Sequence, residues 1–271
     1  MKKGILFFDV DGTLVDSGHR KMVPDVEVLE AIQKVRHNGY YCMISSGRNM
    51  AGLSMLESTD FDGFVFSDGA GIKLSEEESE VIPFDHDVLS SALNELMNEY
   101  GCDINACWEN GSFVNQGTLD RFHNMMSEST DEITIQKVMA EQNVSLLENW
   151  KEEKILEVDI FFSDINTKKN WMKKKPGELE FVDMEDCYGE ITVRNVSKAS
   201  GCERMCRKLG IPVSKSFAFG DSMNDEAMLE TCGKAIVMGN GDERLKKKAD
   251  FVTGRIDEGG LIQAFRHYAL L

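Results

Sequence analysis

Asp9 and Asp11 stand one residue apart at the end of the apolar run Ile5-Leu6-Phe7-Phe8, with Gly12-Thr13-Leu14 directly after them. Two carboxylates at the tip of a buried strand repel each other and lose hydration unless positive charge sits between them. A hard divalent cation such as Mg²⁺ meets that need, because it takes one or two carboxylates together with water and phosphate oxygens. The pattern therefore points to phosphate chemistry at the carboxyl end of a parallel sheet, where open α/β folds hold their ligands. Asp-Gly-Thr also reads as a plain turn after a strand. An EF-hand loop fits poorly: its sixth position, glycine in that motif, is Leu14 here, and a strand rather than a helix precedes it.

Three further segments share this character. Ser45-Ser46-Gly47-Arg48 closes a second strand-like run, Lys198 opens a helix within Ser197-Lys198-Ala199-Ser200-Gly201, and Phe219-Gly220-Asp221-Ser222-Met223-Asn224-Asp225 follows another strand. Singly, each has a plain explanation. A serine before glycine caps a helix or makes a turn, and acids in a first helical turn suit the helix dipole. Lys198 does not suit that dipole, which implies an anion beside it. All four segments in this order, each after a strand or opening a helix, argue for one convergent site.

The elements that must position these groups alternate. Residues 1–80 read β-α-β-α-β: the opening strand, a helix after Pro24 carrying Val28, Leu29, Ile32 and Val35, a strand at 40–44, a helix with Leu53 and Leu56, and a strand at 64–66. That order predicts a parallel sheet with right-handed crossovers. Beyond Ser75 the pattern becomes mixed. An amphipathic helix is expected over 87–100, strands near 104–108 and 112–115, a helix over 131–142, a strand over 155–162, a short helix over 166–174, and strands near 179–183 and 191–194. After Val196 the alternation returns, with a helix to Leu209, strands at 216–219 and 235–238, and a helix through Met228 and Leu229. The expected fold class is α/β: a Rossmann-like parallel sheet interrupted by an inserted α+β domain.

The 271 residues suit one large or two moderate domains, and an apolar share of 42% is enough for a sizeable core. Thirty basic against 47 acidic residues leave a formal charge of −17, which opposes nucleic acid and anionic membranes as partners. The same charge repels phosphate at long range, so a phosphate site must be locally positive. Seven scattered cysteines without a C-x-x-C pair give no disulfide framework or zinc ribbon. Met1-Lys2-Lys3-Gly4 runs straight into a short strand followed by acids, unlike a signal peptide or membrane span, so the cytoplasm is the expected compartment.

With DVDGTL, ISSGR, VSKASG and GDSMNDEAML in this order, the chain resembles the haloacid dehalogenase (HAD) superfamily of phosphohydrolases, and within it the Cof-type sugar-phosphatase branch. Asp62-Gly63-Phe64-Val65-Phe66-Ser67-Asp68-Gly69-Ala70 also resembles that branch's I-x-x-N-G-A segment, with Asp68 in place of the usual Asn. The resemblance implies a HAD fold whose catalytic core comprises residues 1–82 and 186–271, with an inserted cap over 83–185 governing specificity. It implies that Asp9 attacks phosphorus to form an aspartyl-phosphate and that Asp11 serves as general acid and base. Asp9, the Asp11 backbone carbonyl and Asp221 would hold Mg²⁺, with Asp225 orienting the metal's waters. Ser46 with Gly47, Lys198 and Asn224 would bind phosphate; Ser45 is the alternative serine, and Arg48 a further positive group. The loop after Asp9 would offer backbone N–H groups to the same oxygens. Cap candidates for the leaving group are Trp108, Glu109, Asn110, Arg121 and His123. The expected activity is hydrolysis of a small phosphorylated metabolite, such as a sugar phosphate, by a monomer or weak homodimer. The alternatives are a phosphomutase of similar architecture and a non-catalytic phosphosugar-binding protein.

Overall fold

The structure is a computed structural model and describes all residues except 1, 20, 58, 60, 128–130 and 185. In chain order its strands and α-helices are β1 (Gly4–Phe8), α1 (Val26–His37), β2 (Tyr40–Ser45), α2 (Met50–Glu57), β3 (Gly63–Phe66), β4 (Gly71–Leu74), β5 (Glu80–Val81), α3 (His86–Asn98), β6 (Asp103–Trp108), β7 (Gly111–Val114), α4 (Gln116–Ser127), α5 (Glu132–Glu141), β8 (Val144–Leu146), β9 (Glu157–Phe161), α6 (Ile165–Met172), β10 (Leu179–Asp183), β11 (Tyr188–Val193), α7 (Lys198–Leu209), β12 (Ser216–Gly220), α8 (Glu226–Thr231), β13 (Lys234–Val237), α9 (Glu243–Lys246), β14 (Phe251–Val252) and α10 (Gly260–His267). They fall into two compact units. The first holds Met1–Gly47, Leu53–Glu80 and Val196–Leu271; the second holds Arg48–Gly52 and Val81–Asn195.

The first unit is built on a sheet ordered β14-β13-β12-β1-β2-β3-β4-β5. From β14 to β3 every pairing is parallel, and β4 turns back antiparallel on β3. Its central strand β1 is apolar throughout because both its faces are covered. Ile5 and Phe7 pack with Cys202, Met205 and Met228 from α7 and α8. On the other face the Phe8 ring stacks on Phe219 at 4.8 Å and meets Phe265 edge-on at 5.9 Å. A strand buried on both faces reads as a continuous apolar run rather than an alternating one.

The second unit has a sheet ordered β10-β11-β9-β6-β7-β8, antiparallel except for the β7–β8 pair. One face carries the core: Ile104, Ala106, Val158, Ile160 and Ile191 pack with Leu89, Leu93 and Leu96 of α3 and with Trp171 of α6. β11 begins at Tyr188 and pairs between β10 and β9, which carries this unit to Asn195, past the boundary at 185 expected from sequence. All seven cysteines are free thiols, and among the described residues no helix is long and apolar enough to cross a membrane.

Candidate active site

The carboxyl ends of β1 and β12 lie side by side in parallel register, with Phe8 opposite Phe219 and the Asp9 amide donating to the Phe219 carbonyl at 2.9 Å. That register brings Asp9, which leaves β1, next to Gly220 and Asp221, which leave β12. α7 starts at Lys198, held by a capping box in which the Ser197 amide donates to Ser200 Oγ at 3.0 Å. The Lys198 ammonium reaches Asp9 Oδ1 at 2.7 Å and Asp225 Oδ1 at 2.7 Å, and all three side chains are buried. Two carboxylates are thus the anions that the unfavourable dipole position of Lys198 implied.

Asp9, Asp221 and Asp225 place carboxylate oxygens within 4.8 Å of one another. Burial, then the Asp225 carboxylate, pushes the Asp9 carboxyl well above its ordinary range against the pull of Lys198. Burial and Asp225 push Asp221 up to about 7. Burial alone would lower the Lys198 ammonium; Asp225, Asp9 and Asp68 outweigh it and hold it well above its ordinary value. Once Asp9, Asp221 and Asp225 are ionised, these three carboxylates against Lys198 carry two negative charges, which a divalent cation would cancel. Asp221 Oδ1 is buried and accepts no well-formed hydrogen bond; the nearby Thr13 hydroxyl only tempers the upward shift. An orphaned carboxylate oxygen beside a second carboxylate fits a hard cation.

Asp225 has both oxygens engaged. Oδ1 accepts from Lys198, while Oδ2 accepts from the Asp221 and Ser222 amides at 3.0 and 3.2 Å. It ties the lysine to the loop carrying Asp221. Asp11, half-buried, follows Asp9 closely enough to raise the Asp221 carboxyl electrostatically. Gly12 sits at φ +83°, and a Cβ there would lie 2.3 Å from Asp221 Oδ2. The amides of Gly12, Thr13, Leu14 and Val15 all donate to the Val15 or Val10 carbonyls. These four bonds close the loop on itself.

Ser45 and Ser46 are both buried, but they differ in surroundings. Ser45 Oγ lies 3.8 Å from Cys202 Sγ in the core under α7, and Ser46 is the next residue along. A Cβ on Gly47 would lie 3.2 Å from Asp68 Oδ1, so glycine leaves this turn room beside a carboxylate. Asn224 is exposed, and its Oδ1 accepts from the Ser222 hydroxyl. Arg48 belongs to the second unit's short segment and donates to the Gly52 carbonyl at 3.2 Å. Of the cap candidates, Arg121 pairs with Asp103 and lies 5.4 Å from the Phe161 ring, while Trp108 Nε1 is buried without a partner. Glu109 and Asn110 serve through their carbonyls, accepting from the Met50 amide and Asn143 Nδ2, and His123 is half-buried.

Three contributors were not assigned roles from sequence. Asn240 Nδ2 donates to the Gly12 carbonyl at 2.8 Å and its Oδ1 accepts from the Ile256 amide at 2.9 Å, bracing the loop after Asp9. Its neighbour Asp242 donates its amide to the Asp221 carbonyl at 2.8 Å. The Gly-Asn-Gly-Asp turn was legible as a turn, but nothing local tells which loop it supports. Asp68 adds a third carboxylate around Lys198, from a turn in which it and Ser67 both sit at φ +46°. Its place at the Asn position of the I-x-x-N-G-A segment was the available signal.

Comparison with known proteins agrees with this geometry. The family model of haloacid dehalogenase-like hydrolases matches residues 6–265. The chain belongs to this family. Phosphatase YwpJ of Bacillus subtilis is 27% identical over 97% of this chain and 99% of its own. The 5-amino-6-(5-phospho-D-ribitylamino)uracil phosphatase YcsE of the same organism is 26% identical over 98% of this chain and 96% of its own. The HAD subclass IIB sugar phosphatase BT4131 superposes with a TM-score of 0.77 at 22% identity, covering 99% of this chain and all of the other, and so shares the fold. The chain is a Cof-type HAD phosphatase, a phosphoric monoester hydrolase of small phosphorylated metabolites, with a parallel core sheet and a mixed-sheet cap.

Proposed function

We propose that the chain hydrolyses the phosphate monoester of a sugar or sugar alcohol in two in-line steps, with Asp9 as nucleophile and Mg²⁺ as its metal. The observation that carries this reading is the buried contact of Lys198 with both Asp9 and Asp225, beside the orphaned oxygen of Asp221. In the first step an Asp9 carboxylate oxygen bonds to phosphorus as the P–O bond to the leaving group breaks, and Asp11 gives the leaving-group oxygen a proton. In the second step the Asp11 carboxylate takes a proton from water, whose oxygen attacks phosphorus. The acyl-phosphate bond breaks, releasing inorganic phosphate and Asp9.

Asp9 must be ionised to attack, and burial works against this. Lys198 offsets part of that penalty and orients the attacking carboxylate. Asp9 and Asp221, with the Asp11 carbonyl, would hold Mg²⁺, and Asp225 would keep the Asp221 loop and Lys198 in place. When bound, the cation supplies the positive charge that lets a dianionic phosphate approach this acidic site. Ser46, Gly47 and Asn224 are assigned to the phosphate oxygens. Ser45 is assigned to the core, because its hydroxyl faces Cys202. The ribityl phosphate named for YcsE supports a polyhydroxylated substrate, and the absence of long helices able to cross a membrane among the described residues is consistent with a cytoplasmic enzyme.

The test is turnover of p-nitrophenyl phosphate with and without Mg²⁺. Mg²⁺-dependent release of phosphate, abolished in Asp9→Asn, is expected. Full activity in Asp9→Asn would refute the nucleophile, and an isomeric phosphoester in place of free phosphate from a sugar phosphate would make the chain a mutase.

A further inference from the structure

Three consecutive residues after β3 hold positive φ: Ser67 and Asp68 at +46° and Gly69 at +90°. Left-handed backbone is disfavoured for residues that carry a Cβ, and two of these three do. Such a turn persists only where its surroundings over-determine it, and turns of this kind gather at functional sites. Ser67 and Asp68 are both buried, so the restraint must come from the protein.

It comes from two sides. Towards β2, the Asp68 amide donates to the Ser46 carbonyl at 3.2 Å, and the Ser46 amide donates to the Val65 carbonyl at 2.9 Å. The turn is thereby tied to the loop assigned to phosphate. Towards α7, Gly69 packs on the helix start so closely that a Cβ would run into the Ser197 carbonyl. Further along α7, the half-buried Arg204 reaches back to the turn. Its Nη1 donates to the Gly69 carbonyl at 3.0 Å and to the Ala70 carbonyl at 3.3 Å, while its Nη2 donates to the Glu80 carbonyl at 2.9 Å. A charged donor makes such bonds roughly twice as strong as neutral ones, and the planar guanidinium aims its two nitrogens at two separate segments. The hydrolytic steps give Arg204 no part.

The turn bears on the chemistry through Asp68. Its carboxylate helps to hold the proton of the Lys198 ammonium. Its Oδ1 also faces Gly47, where a Cβ would lie 3.2 Å away. A shift of the turn would move this negative charge relative to the ammonium that orients Asp9, and would draw the Ser46 carbonyl with it.

We propose that Arg204 is a positioning residue for phosphoryl transfer: it fixes the left-handed turn at 67–69, and through that turn the placing of Asp68 beside Lys198 and of the Ser46 loop. The proposal rests on the phosphatase reading above and deepens it. Arg204 acts through the backbone it holds and not by contact with the substrate.

Turnover of p-nitrophenyl phosphate with Mg²⁺, at a temperature where every variant is folded by circular dichroism, tests this. Arg204→Met should lower kcat about tenfold or more, the scale of a displaced reacting group, with KM changed far less. Adding Ser67→Gly to Arg204→Met should win back about threefold or more, because glycine takes up positive φ without steric cost. The buried Ser67 hydroxyl has no hydrogen-bond partner among the described residues, so its removal breaks no bond. A residue that only stabilised the fold would lower Tm without this recovery. Lys208→Met is the control. Lys208 pairs with the Glu77 and Glu80 carboxylates at 2.8 and 2.7 Å, and so steadies the segment near residue 80 without touching the turn. Its kcat should match the parent's. Hydrogen exchange over residues 66–70 should quicken in Arg204→Met and not in Lys208→Met. Should Arg204→Met fail to fold, Arg204→Lys takes its place, with the same recovery expected from Ser67→Gly. A parental kcat in the Arg204 variant, no recovery with Ser67→Gly, an equal loss in Lys208→Met, or unchanged exchange would each overturn the proposal. A parent chain that releases no phosphate would instead sink the phosphatase reading, and exchange would still decide whether Arg204 holds the turn.

Discussion

Lys198→Met removes the one ammonium that, among the described residues, touches both Asp9 and Asp225. The two carboxylates it abandons are 5% and 0% exposed, so water cannot replace it. Removing one partner of a buried ion pair costs about 3–5 kcal/mol. At about 2–4 °C per kcal/mol for a chain of this size class, the metal-free variant should melt roughly 6–20 °C below the parent at pH 8. The deficit should depend on pH, and its sign follows from Asp9. Burial already raises its carboxyl, and Lys198 is the main influence holding it down. Without Lys198 the folded carboxyl is raised further, and a raised carboxyl contributes stability that is complete below its unfolded pKa and is lost as pH rises through its folded value. The melting gap should therefore be small at pH 5 and widen towards pH 8, by at most about 1.4 kcal/mol per pH unit for one proton. Calorimetry of both proteins in chelator across that range measures the gap. Turnover should fall by about 10²–10³, as for other preorganised charge-stabilising groups. Lys198→Arg keeps the charge and should recover part of the stability but less of the activity, because its planar fork does not replace a compact ammonium. A melting gap that is flat with pH, or wild-type turnover in Lys198→Met, would refute this account.

Other outcomes follow from the same geometry. Gly12→Ala would put a methyl 2.3 Å from Asp221 Oδ2 at a backbone φ of +83°, and should raise the Mg²⁺ concentration needed for half-maximal activity about tenfold or more, read from a metal titration. Asp221, pushed up to about 7, makes metal-free stability fall as pH rises from about 4 towards 7. Asp221→Asn should flatten that decline in melting scans, and Mg²⁺ should raise the parent's Tm more at pH 8 than at pH 5.5. Asn240→Ala frees the Gly12 carbonyl and the Ile256 amide, and should cost about 1–3 kcal/mol by denaturant unfolding, with kcat/KM lowered more than expected for a site remote from phosphate.

The fold was legible because its signals are local. The double-sided apolar run of β1, the 3.6-residue spacing of Val28, Ile32 and Val35 in α1, and the return of strand-helix alternation after Val196 each announce an element whose neighbours are set by parallel crossovers. The end of the second unit was less legible. Tyr188-Gly189-Glu190 has no apolar alternation to mark a strand, and only its pairing between β9 and β10 makes it one.

Sequence alone determined the chemical vocabulary of this protein: carboxylates after a buried strand, a lysine at the wrong end of a helix dipole, a second acidic loop, and the family these motifs belong to. Tertiary structure decided which groups share charge. Lys198 meets Asp9 across 189 positions of chain and Asp225 across 27, a closeness that only sheet register and the α7 cap can arrange. It also decided that residues 12–15 spend their amides within their own turn and that Ser45 turns towards the core. Residue type sets what a group can donate, accept or ionise. Its pKa and its partners are set by burial and by neighbours brought from elsewhere in the chain, and those exist only once the chain has folded.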